Sequence, residues 1–174
     1  EVNWMTAGKG IVHSERTTPT KRAEGGPMHG MQAWIALPTE QEDCDPSFKH
    51  YAGPDLPAYE NQGLFARLVA GEAYGAAARV KTASPMFYVH WELAEGVRTA
   101  PPPGKGAGGY SERALYVAKG EIEVGDRTFR EGQMIVLEPT AEPTVKALVQ
   151  STVMVLGGEP VGERLIWWNF VASS

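Results

Sequence analysis

His13 and Glu15 are the residues of this sequence whose types and spacing could do chemistry. They stand two positions apart in the segment MTAGKGIVHSE, and on a β-strand two such side chains point to the same face. Imidazole nitrogen and carboxylate oxygen are both ligands for first-row transition metals. The pair therefore predicts half of a metal site. Gly8 and Gly10, just ahead of it, are expected to let the backbone turn tightly before the ligand strand.

The composition limits the classes to which the protein can belong. The chain has 174 residues with 43% hydrophobic content, enough for one sizeable core or two small ones. A net charge of −5 without basic clusters argues against binding nucleic acid, and no apolar run is long enough to cross a bilayer. The single cysteine, Cys44, excludes an internal disulfide framework, and its acidic neighbours make it a poor nucleophile. We therefore expect a globular protein of the cytoplasm.

Short runs with strand character, separated by glycine and proline, predict an all-β fold. The clearest run is 113–138, in which Gly125-Asp126 suits a tight hairpin turn. Further strands are predicted at 31–37, 64–70, 86–93, 144–149, 152–156 and 164–171. No convincing amphipathic helix separates these runs, which favours a sandwich or barrel. Residues 38–62 are less regular and are expected to form a connection with one short helical turn.

Three segments carry a resemblance to a known family. WMTAGKGIVHSER is followed by MHGMQAWIALP, and LGGEPVGERLIWWNFV comes near the end. This combination resembles the pirin family of bicupins over nearly the whole chain. The resemblance implies an all-β protein of two stacked cupin barrels, each a double-stranded β-helix, with the first barrel incomplete. Residues 1–60 would hold the end of that first barrel and a connection, and residues 61–174 would form the second barrel.

The resemblance also implies an iron site. In pirins the first barrel holds one Fe(II) with three His and one Glu, and the match assigns His13 and Glu15 as two of these ligands. The other two come from an H-x-H pair on an earlier strand, and no H-x-H occurs in this sequence. We therefore expect the chain to begin within the first barrel, and to lack the helical tail that pirins carry after the position of Ser174. Taken without the family, the same ligand types would also accept nickel, copper, zinc or manganese.

The second barrel is predicted to be structural and metal-free. Its ligands should stand in APPPGKGAGGYSER and LEPTAEPTV, and neither segment contains a histidine. Glu112, Glu138 and Glu142 are accordingly expected to be solvated carboxylates. The segment GKGAGG matches a G-x-G-x-x-G spacing, but it leads into a strand instead of a helix, so no dinucleotide site is expected.

The remaining histidines are expected to have ordinary roles. His29 is predicted to have a structural or cavity-edge role, His50 to be exposed, and His90 to have a solvated or cross-strand role. The tryptophans predicted to pack in a core or barrel are Trp34, Trp91, Trp167 and Trp168. In MFYVHWEL the alternation places Trp91 on one face of the strand and His90 on the other. Trp4 and Met5 lie nearer the predicted site and are candidates for the wall of its cavity.

Two functional classes follow from the resemblance. The first is an iron-dependent dioxygenase of the quercetin 2,3-dioxygenase type, acting on a flavonol-like small molecule, with Glu15 also serving as the base that removes the substrate proton. The second is a redox sensor whose iron alters a surface that docks a regulatory protein. The intact protein is expected to be a monomer with no direct contact to nucleic acid or membrane. This chain alone is expected to be inactive, because two of the ligands are missing.

Overall fold

The regular secondary structure of the chain is almost entirely β, as predicted. A computed structural model describes residues 1–27 and 29–174, and fifteen strands lie within this part. They are β1 Val2–Thr6, β2 Ser47–Tyr51, β3 Ala58–Asn61, β4 Leu64–Ala73, β5 Ala76–Ala77, β6 Met86–Leu93, β7 Arg98–Thr99, β8 Glu112–Lys119, β9 Glu121–Val124, β10 Arg127–Arg130, β11 Met134–Leu137, β12 Val145–Ala147, β13 Ser151–Gly158, β14 Leu165–Trp167 and β15 Phe170–Ala172. One α-helix, α1 Pro19–Glu24, and 3-10 turns at Thr39–Gln41, Gly53–Asp55 and Lys105–Ala107 complete the regular structure.

Several sequence predictions are confirmed at the level of single elements. Gly125-Asp126 forms the two-residue turn between β9 and β10, where Arg127 lies opposite Val124. Gly125 has a φ of +61°, which is the conformation such a turn requires. Strand β6 coincides with the predicted run 86–93. The connection 38–62 contains the expected helical turn, and it also contains β2 and β3.

Two predicted strands are wrong. Residues 31–37 have no regular structure, and the run 164–171 is a hairpin of β14 and β15 instead of one strand. A strand forms only when its backbone groups pair with a neighbour. In the described part of the chain, no strand pairs with 31–37, and Trp34 is left 49% exposed.

Two antiparallel sheets enclose an apolar core. The larger has the strand order β11-β8-β13-β6-β4-β3, with β5 attached to β4, and the smaller has the order β10-β9-β12-β7. Phe87 and Trp91 on β6 and Leu115 on β8 meet Ile122 on β9 and Val145 on β12, and all five are fully buried. The period-two alternation of β6 thus directs its large side chains between the sheets, as predicted.

A bulge in β4 brings two backbones unusually close. The β4–β6 register shifts between Leu68 and Ala70, and the next residue, Gly71, has a φ of +73°. A Cβ at Gly71 would stand 1.8 Å from the carbonyl oxygen of Met86. Only glycine fits at this position, because it combines a left-handed conformation with a direct backbone contact.

A second apolar cluster covers the outer face of the larger sheet. Its buried members are Leu56, Ala70, Val80, Met86, Tyr88 and Met154. Trp4 and Tyr51, near the start of β1 and the end of β2, are half-buried against this cluster. The outer face of the sheet is therefore partly shielded from water by side chains from the two-stranded sheet β1–β2.

The described residues divide into two compact units. The first unit comprises Glu1–Trp4 and Lys49–Val161, and the second comprises Met5–Phe48 and Gly162–Ser174. The limits of these two units follow contacts within the chain and do not mark where a barrel begins or ends. The predicted barrel boundary between residues 60 and 61 therefore stays a prediction. No helix in the described chain has both the length and the apolar character to cross a membrane.

The second unit contains α1 and the β14–β15 hairpin. Helix α1 begins after Thr18, whose hydroxyl accepts a hydrogen bond of 3.3 Å from the Lys21 N–H, and Pro19 occupies the first turn. Gly25, with a φ of +67°, ends it. No described residue of this unit is buried. The unit is therefore held by surface contacts and lacks a core of its own.

Candidate metal centre

His13 and Glu15 lie in an irregular segment between β1 and α1. Residues 11–18 form no strand, and both side chains are exposed. The predicted ligand strand is therefore absent from this structure, for the same reason as at 31–37, since no described strand pairs with it. His13 and Glu15 stand two positions apart in the sequence, but no contact in the described chain fixes the direction of either side chain.

The tight turn predicted ahead of the pair is present. Gly8 and Gly10 have φ values of +49° and +128°, and the Gly10 N–H donates to the carbonyl of Ala7 at 2.9 Å. A Cβ at Gly8 would stand 2.0 Å from the carbonyl oxygen of Cys44, which also accepts a hydrogen bond of 3.0 Å from the Lys9 N–H. The AGKG turn is thus fixed against the backbone at Cys44.

The described residues do not complete an iron site. Among them, no three His, Cys, Asp or Glu side chains are grouped so that they could hold a metal ion. His13 and Glu15 offer two ligands, whereas protein metal sites of this kind usually need three or four. The described residues by themselves therefore do not fit the iron centre that the motif predicts.

The two histidines of the first unit, His50 and His90, have contacts of their own. His50 Nδ1 stands 2.8 Å from Asn3 Oδ1, and its Nε2 stands 4.0 Å from the Glu1 carboxylate. His90 meets the ring of Phe65 edge-on at 6.4 Å between centroids, and its Nε2 lies 3.9 Å from Glu92. His50 is exposed, as predicted, and the contact of His90 with Phe65 on the neighbouring strand β4 agrees with its predicted cross-strand role. His29, in the second unit, is exposed.

The tryptophan predictions divide between the two units. Trp91 is fully buried in the first unit, as predicted, whereas Trp167 and Trp168 of the second unit are 83% and 79% exposed. The proposal of barrel packing is therefore wrong for the latter pair in this structure. Trp4 is half-buried against the outer cluster of the first unit, so its contacts here are those of a packing residue.

The C-terminal segment is fixed by a polar network that the sequence did not reveal. The Arg164 guanidinium donates to the carbonyl of Leu37 at 2.8 Å, and its Nε lies 2.8 Å from the Glu42 carboxylate. The Ser173 hydroxyl donates to the same carboxylate at 2.7 Å. That hydrogen bond lowers the pKa of Glu42 against the opposing effect of burial, with smaller contributions from the Ser173 backbone and the charge of Arg164.

An aromatic stack joins the same parts of the second unit. The rings of Trp34 and Trp168 are stacked with 5.0 Å between centroids and 9° between planes. Offset or parallel aromatic pairs of this kind contribute about 0.5–1.5 kcal/mol beyond their buried area. The partners stand near opposite ends of the sequence, so no local pattern could have identified either contact.

A buried arginine organises one end of the first unit. The side chain of Arg113 is 0% exposed, and its guanidinium donates to the carbonyls of Pro102 and Ala141, the former at 2.9 Å. Glu142, predicted to be merely solvated, accepts a 2.7 Å hydrogen bond from the Gly104 N–H and stands 3.9 Å from Arg113. Glu112 and Glu138 are exposed, as expected. The glycine-rich loop, residues 104–109, is therefore linked by the Gly104–Glu142 hydrogen bond to the loop 138–142.

Two antiparallel sheets around an apolar core, preceded by an H-x-E segment, define a protein of the cupin class. A Pirin C-terminal cupin domain model matches residues 88–174, and a Pirin model matches residues 1–35. A Pirin-like protein of Caulobacter vibrioides is 59% identical over 175 residues, an alignment that covers 100% of this chain and 59% of the relative. The chain belongs to the pirin family.

Solved structures agree with this assignment. A quercetin 2,3-dioxygenase from Acinetobacter baumannii superimposes with a TM-score of 0.85 at 22% identity, covering 99% of this chain and 60% of that chain. Another quercetin 2,3-dioxygenase structure from the same organism gives a TM-score of 0.70 at 30% identity, covering 81% of this chain and 46% of that one. The first likeness supports the cupin fold. The chain spans less than two thirds of the length of these relatives.

Proposed function

We propose that this chain is part of a pirin-type bicupin whose intact form is an iron(II)-dependent dioxygenase of the quercetin 2,3-dioxygenase type. In this proposal the chain alone is inactive. The observation that carries it is the exposure of His13 and Glu15 in a unit of which no described residue is buried, within a chain that matches Pirin models at both ends. A site of this kind needs the rest of its barrel before it can act.

His13 and Glu15 have distinct roles in the proposal. The His13 imidazole and the Glu15 carboxylate supply two ligands, and an H-x-H pair outside this chain supplies two more. Glu15 also removes the proton from a flavonol hydroxyl, because a carboxylate is an acceptor at neutral pH. The AGKG turn, fixed against Cys44, positions the start of the segment that carries both residues.

The first unit serves as a scaffold in this proposal. Its interior is filled by apolar side chains such as Phe87, Trp91 and Leu115, so there is little room for a ligand between its sheets. This packing supports the expectation that the second barrel is structural and metal-free. A cytoplasmic location fits the single free thiol of Cys44.

The test compares this chain with a completed protein. The completed protein is a chimaera in which the parts of the Caulobacter relative that precede and follow its matched region are fused to the corresponding ends of this chain. Both proteins are loaded anaerobically with iron(II), and the iron bound per chain and the oxygen-dependent loss of quercetin absorbance are measured. We expect about one iron per chain and turnover in the chimaera alone. His13→Ala in the chimaera should abolish both, whereas the matched control His50→Ala should abolish neither.

The outcomes separate the candidate functions. Steady quercetin turnover by this chain alone, lost in His13→Ala, would contradict the proposal that it is inactive. Stoichiometric iron in the chimaera without turnover would favour the alternative of an iron-dependent sensor that docks a regulatory protein. Equal iron in the chimaera and its His13→Ala variant would remove His13 from the ligand set.

A further inference from the structure

An open cleft of about 570 Å³ lies within the first unit. It is bounded on one side by residues 72–77, at the turn between β4 and β5, and on the other by Pro102, Pro103 and residues 108–110 of the glycine-rich loop. The volume is within the range of about 300–1,000 Å³ that is usual for small-ligand sites. Neither the iron motif nor the proposed dioxygenase activity involves this cleft.

The hydroxyls of Tyr74 and Tyr110, which line the cleft, can only accept hydrogen bonds from a ligand. The Tyr110 hydroxyl donates to the carbonyls of Glu72 at 2.9 Å and Met86 at 3.3 Å, and the Tyr74 hydroxyl donates to the carbonyl of Ala100 at 3.0 Å. A phenol has one hydrogen to donate, and here it is already engaged. A ligand that reaches these oxygens must therefore bring its own donors.

The charged groups of the cleft are carboxylates. Glu72 is exposed, and Glu159 is held in place by hydrogen bonds from the Ser111 N–H at 3.0 Å and hydroxyl at 2.8 Å. Of the described residues that line the cleft, none is Lys, Arg or His. Lys105 lies near enough to Glu159 to contribute to lowering its pKa, after the two Ser111 hydrogen bonds. One nearby cation against two carboxylates leaves the cleft with an excess of negative charge.

The carboxylates of Glu72 and Glu159 both influence the Tyr110 hydroxyl. Burial raises the pKa of Tyr110, and the negative charges of Glu72 and Glu159 raise it further. Geometry places both glutamates beside Tyr110. The Tyr110 hydroxyl donates to the main-chain carbonyl of Glu72 on β4, and Glu159, which follows β13, accepts hydrogen bonds from Ser111, the residue after Tyr110. A donor placed beside that hydroxyl would feel both negative charges and would find acceptor oxygens around it.

The walls of the cleft are rigid. A Cβ at Gly109 would stand 1.8 Å from the carbonyl oxygen of Pro103, which accepts the Tyr110 N–H at 3.1 Å. The ring of Tyr110 lies 5.0 Å from that of Phe87 between centroids. Arg113 holds the adjacent Pro102 carbonyl. These contacts hold the loop side of the cleft in place, which lowers the ordering cost of binding.

We propose that this cleft binds an alkylammonium cation, either a free amine or a lysine side chain of a partner protein. The ammonium donates to the acceptor oxygens beside Glu72 and Glu159, and its alkyl chain packs on the exposed Pro85 and Pro103. The ring of Tyr74, which is 55% exposed, offers a face for a cation–π contact. The proposal does not depend on iron or on the proposed dioxygenase activity.

The binding test uses the ¹⁵N-labelled chain and two probes. Butylammonium represents the free amine, and the peptide acetyl-Gly-Lys-Gly-amide represents a lysine side chain, with butanol as the uncharged match. We expect saturable shifts of the Gly75, Gly108 and Gly109 amides with a cationic probe and no such shifts with butanol. Saturation by butylammonium identifies a site for free amines, and saturation by the peptide alone identifies a site for a partner's lysine. Equal shifts with butanol would overturn the proposal.

Charge variants test the same claim on the protein side. Glu72→Gln and Glu159→Gln should each weaken binding about threefold, as expected for exposed ion pairs, while Lys105→Ala should strengthen it. Glu131→Gln is the matched control, because this exposed carboxylate lies near Gly120 at the other end of β8. Unchanged affinity in both Glu72→Gln and Glu159→Gln would overturn the proposal. If those variants fail to fold, the unmodified chain decides, since raised salt must weaken binding of a cation to carboxylates.

Discussion

The two units of this protein contain similar side chains and bury them very differently. In the first unit, Phe87 and Trp91 are 0% exposed between two sheets. In the second unit, Trp167 is 83% exposed and no described residue is buried. Apolar strand-like sequence is thus not sufficient for burial, because a core also needs a second layer to pack against. The difference bears on the proposed function, since His13 and Glu15 belong to the second unit, in which no described residue is buried.

Amide hydrogen exchange should show this contrast most strongly. Central strands of the first unit, β6, β8 and β13, open only when the unit unfolds, whereas the hairpin β14–β15 can open locally. We expect amides of those three strands to exchange about 10³-fold more slowly than those of the hairpin. The measurement is exchange in D₂O followed by NMR at neutral pH. Uniformly slow exchange across both units would show that the second unit is as stable as the first.

Matched tryptophan substitutions test the same contrast energetically. Trp91→Ala removes a fully buried side chain and should lower the free energy of unfolding by about 3–5 kcal/mol. Trp167→Ala removes an exposed one and should change it by less than about 0.5 kcal/mol. Urea denaturation followed by circular dichroism measures both without relying on tryptophan emission. Similar losses in the two variants would mean that Trp167 is packed in solution.

The buried Arg113 should contribute nearly as much to the first unit as the apolar core residues do. Arg113→Met leaves the carbonyls of Pro102 and Ala141 without their donor, which should cost about 3 kcal/mol of unfolding free energy. Arg79→Met is the matched control, because the Arg79 side chain is 74% exposed and only 3.8 Å from Asp55 in a surface pair. Equal urea midpoints for the two variants would refute the structural role of Arg113.

Local patterns predicted the elements whose causes are local. The turn Gly125-Asp126 and the alternation in β6 depend on neighbours in sequence, and both are confirmed. The strand at 31–37 and the one carrying His13 were wrong, because a strand also needs a pairing partner and the described chain provides none there. The residue pattern of these segments indicates strand character, but it does not show whether a neighbouring strand is present to pair with them.

The same distinction applies to the polar contacts. In the sequence, Arg113 resembles an ordinary charged residue at the start of a strand. Its acceptors are main-chain carbonyls, which every residue has, so no side-chain type in the sequence indicates them. Arg164 and Glu42 come together from distant parts of the chain. The family motif pointed to His13 and Glu15 as ligands, and that assignment stays a prediction. Among the described residues, no third ligand joins them.

The smallest expected effect compares two glutamates that are each held by a serine, one in each unit. Ser173 holds Glu42 in the second unit, and Ser111 holds Glu159 in the first. These hydrogen bonds are the main reason why the pKa of each glutamate lies below its ordinary value of 4.5. Because the folded pKa is lowered, each contact stabilises its segment fully above pH 4.5 and is lost as the pH falls through the folded value.

Carboxyl ¹³C titration of the labelled chain measures both groups in one experiment. Ser173→Ala should raise the pKa of Glu42 and leave that of Glu159 unchanged, Ser111→Ala should do the reverse, and the neighbouring Ser174→Ala should alter neither. In mild urea the pKa of Glu42 should return to its ordinary value before that of Glu159 does, because the second unit has no buried core to hold its contacts in place. If the two values returned together, the units would unfold as one, and the contrast in burial would not be a contrast in stability.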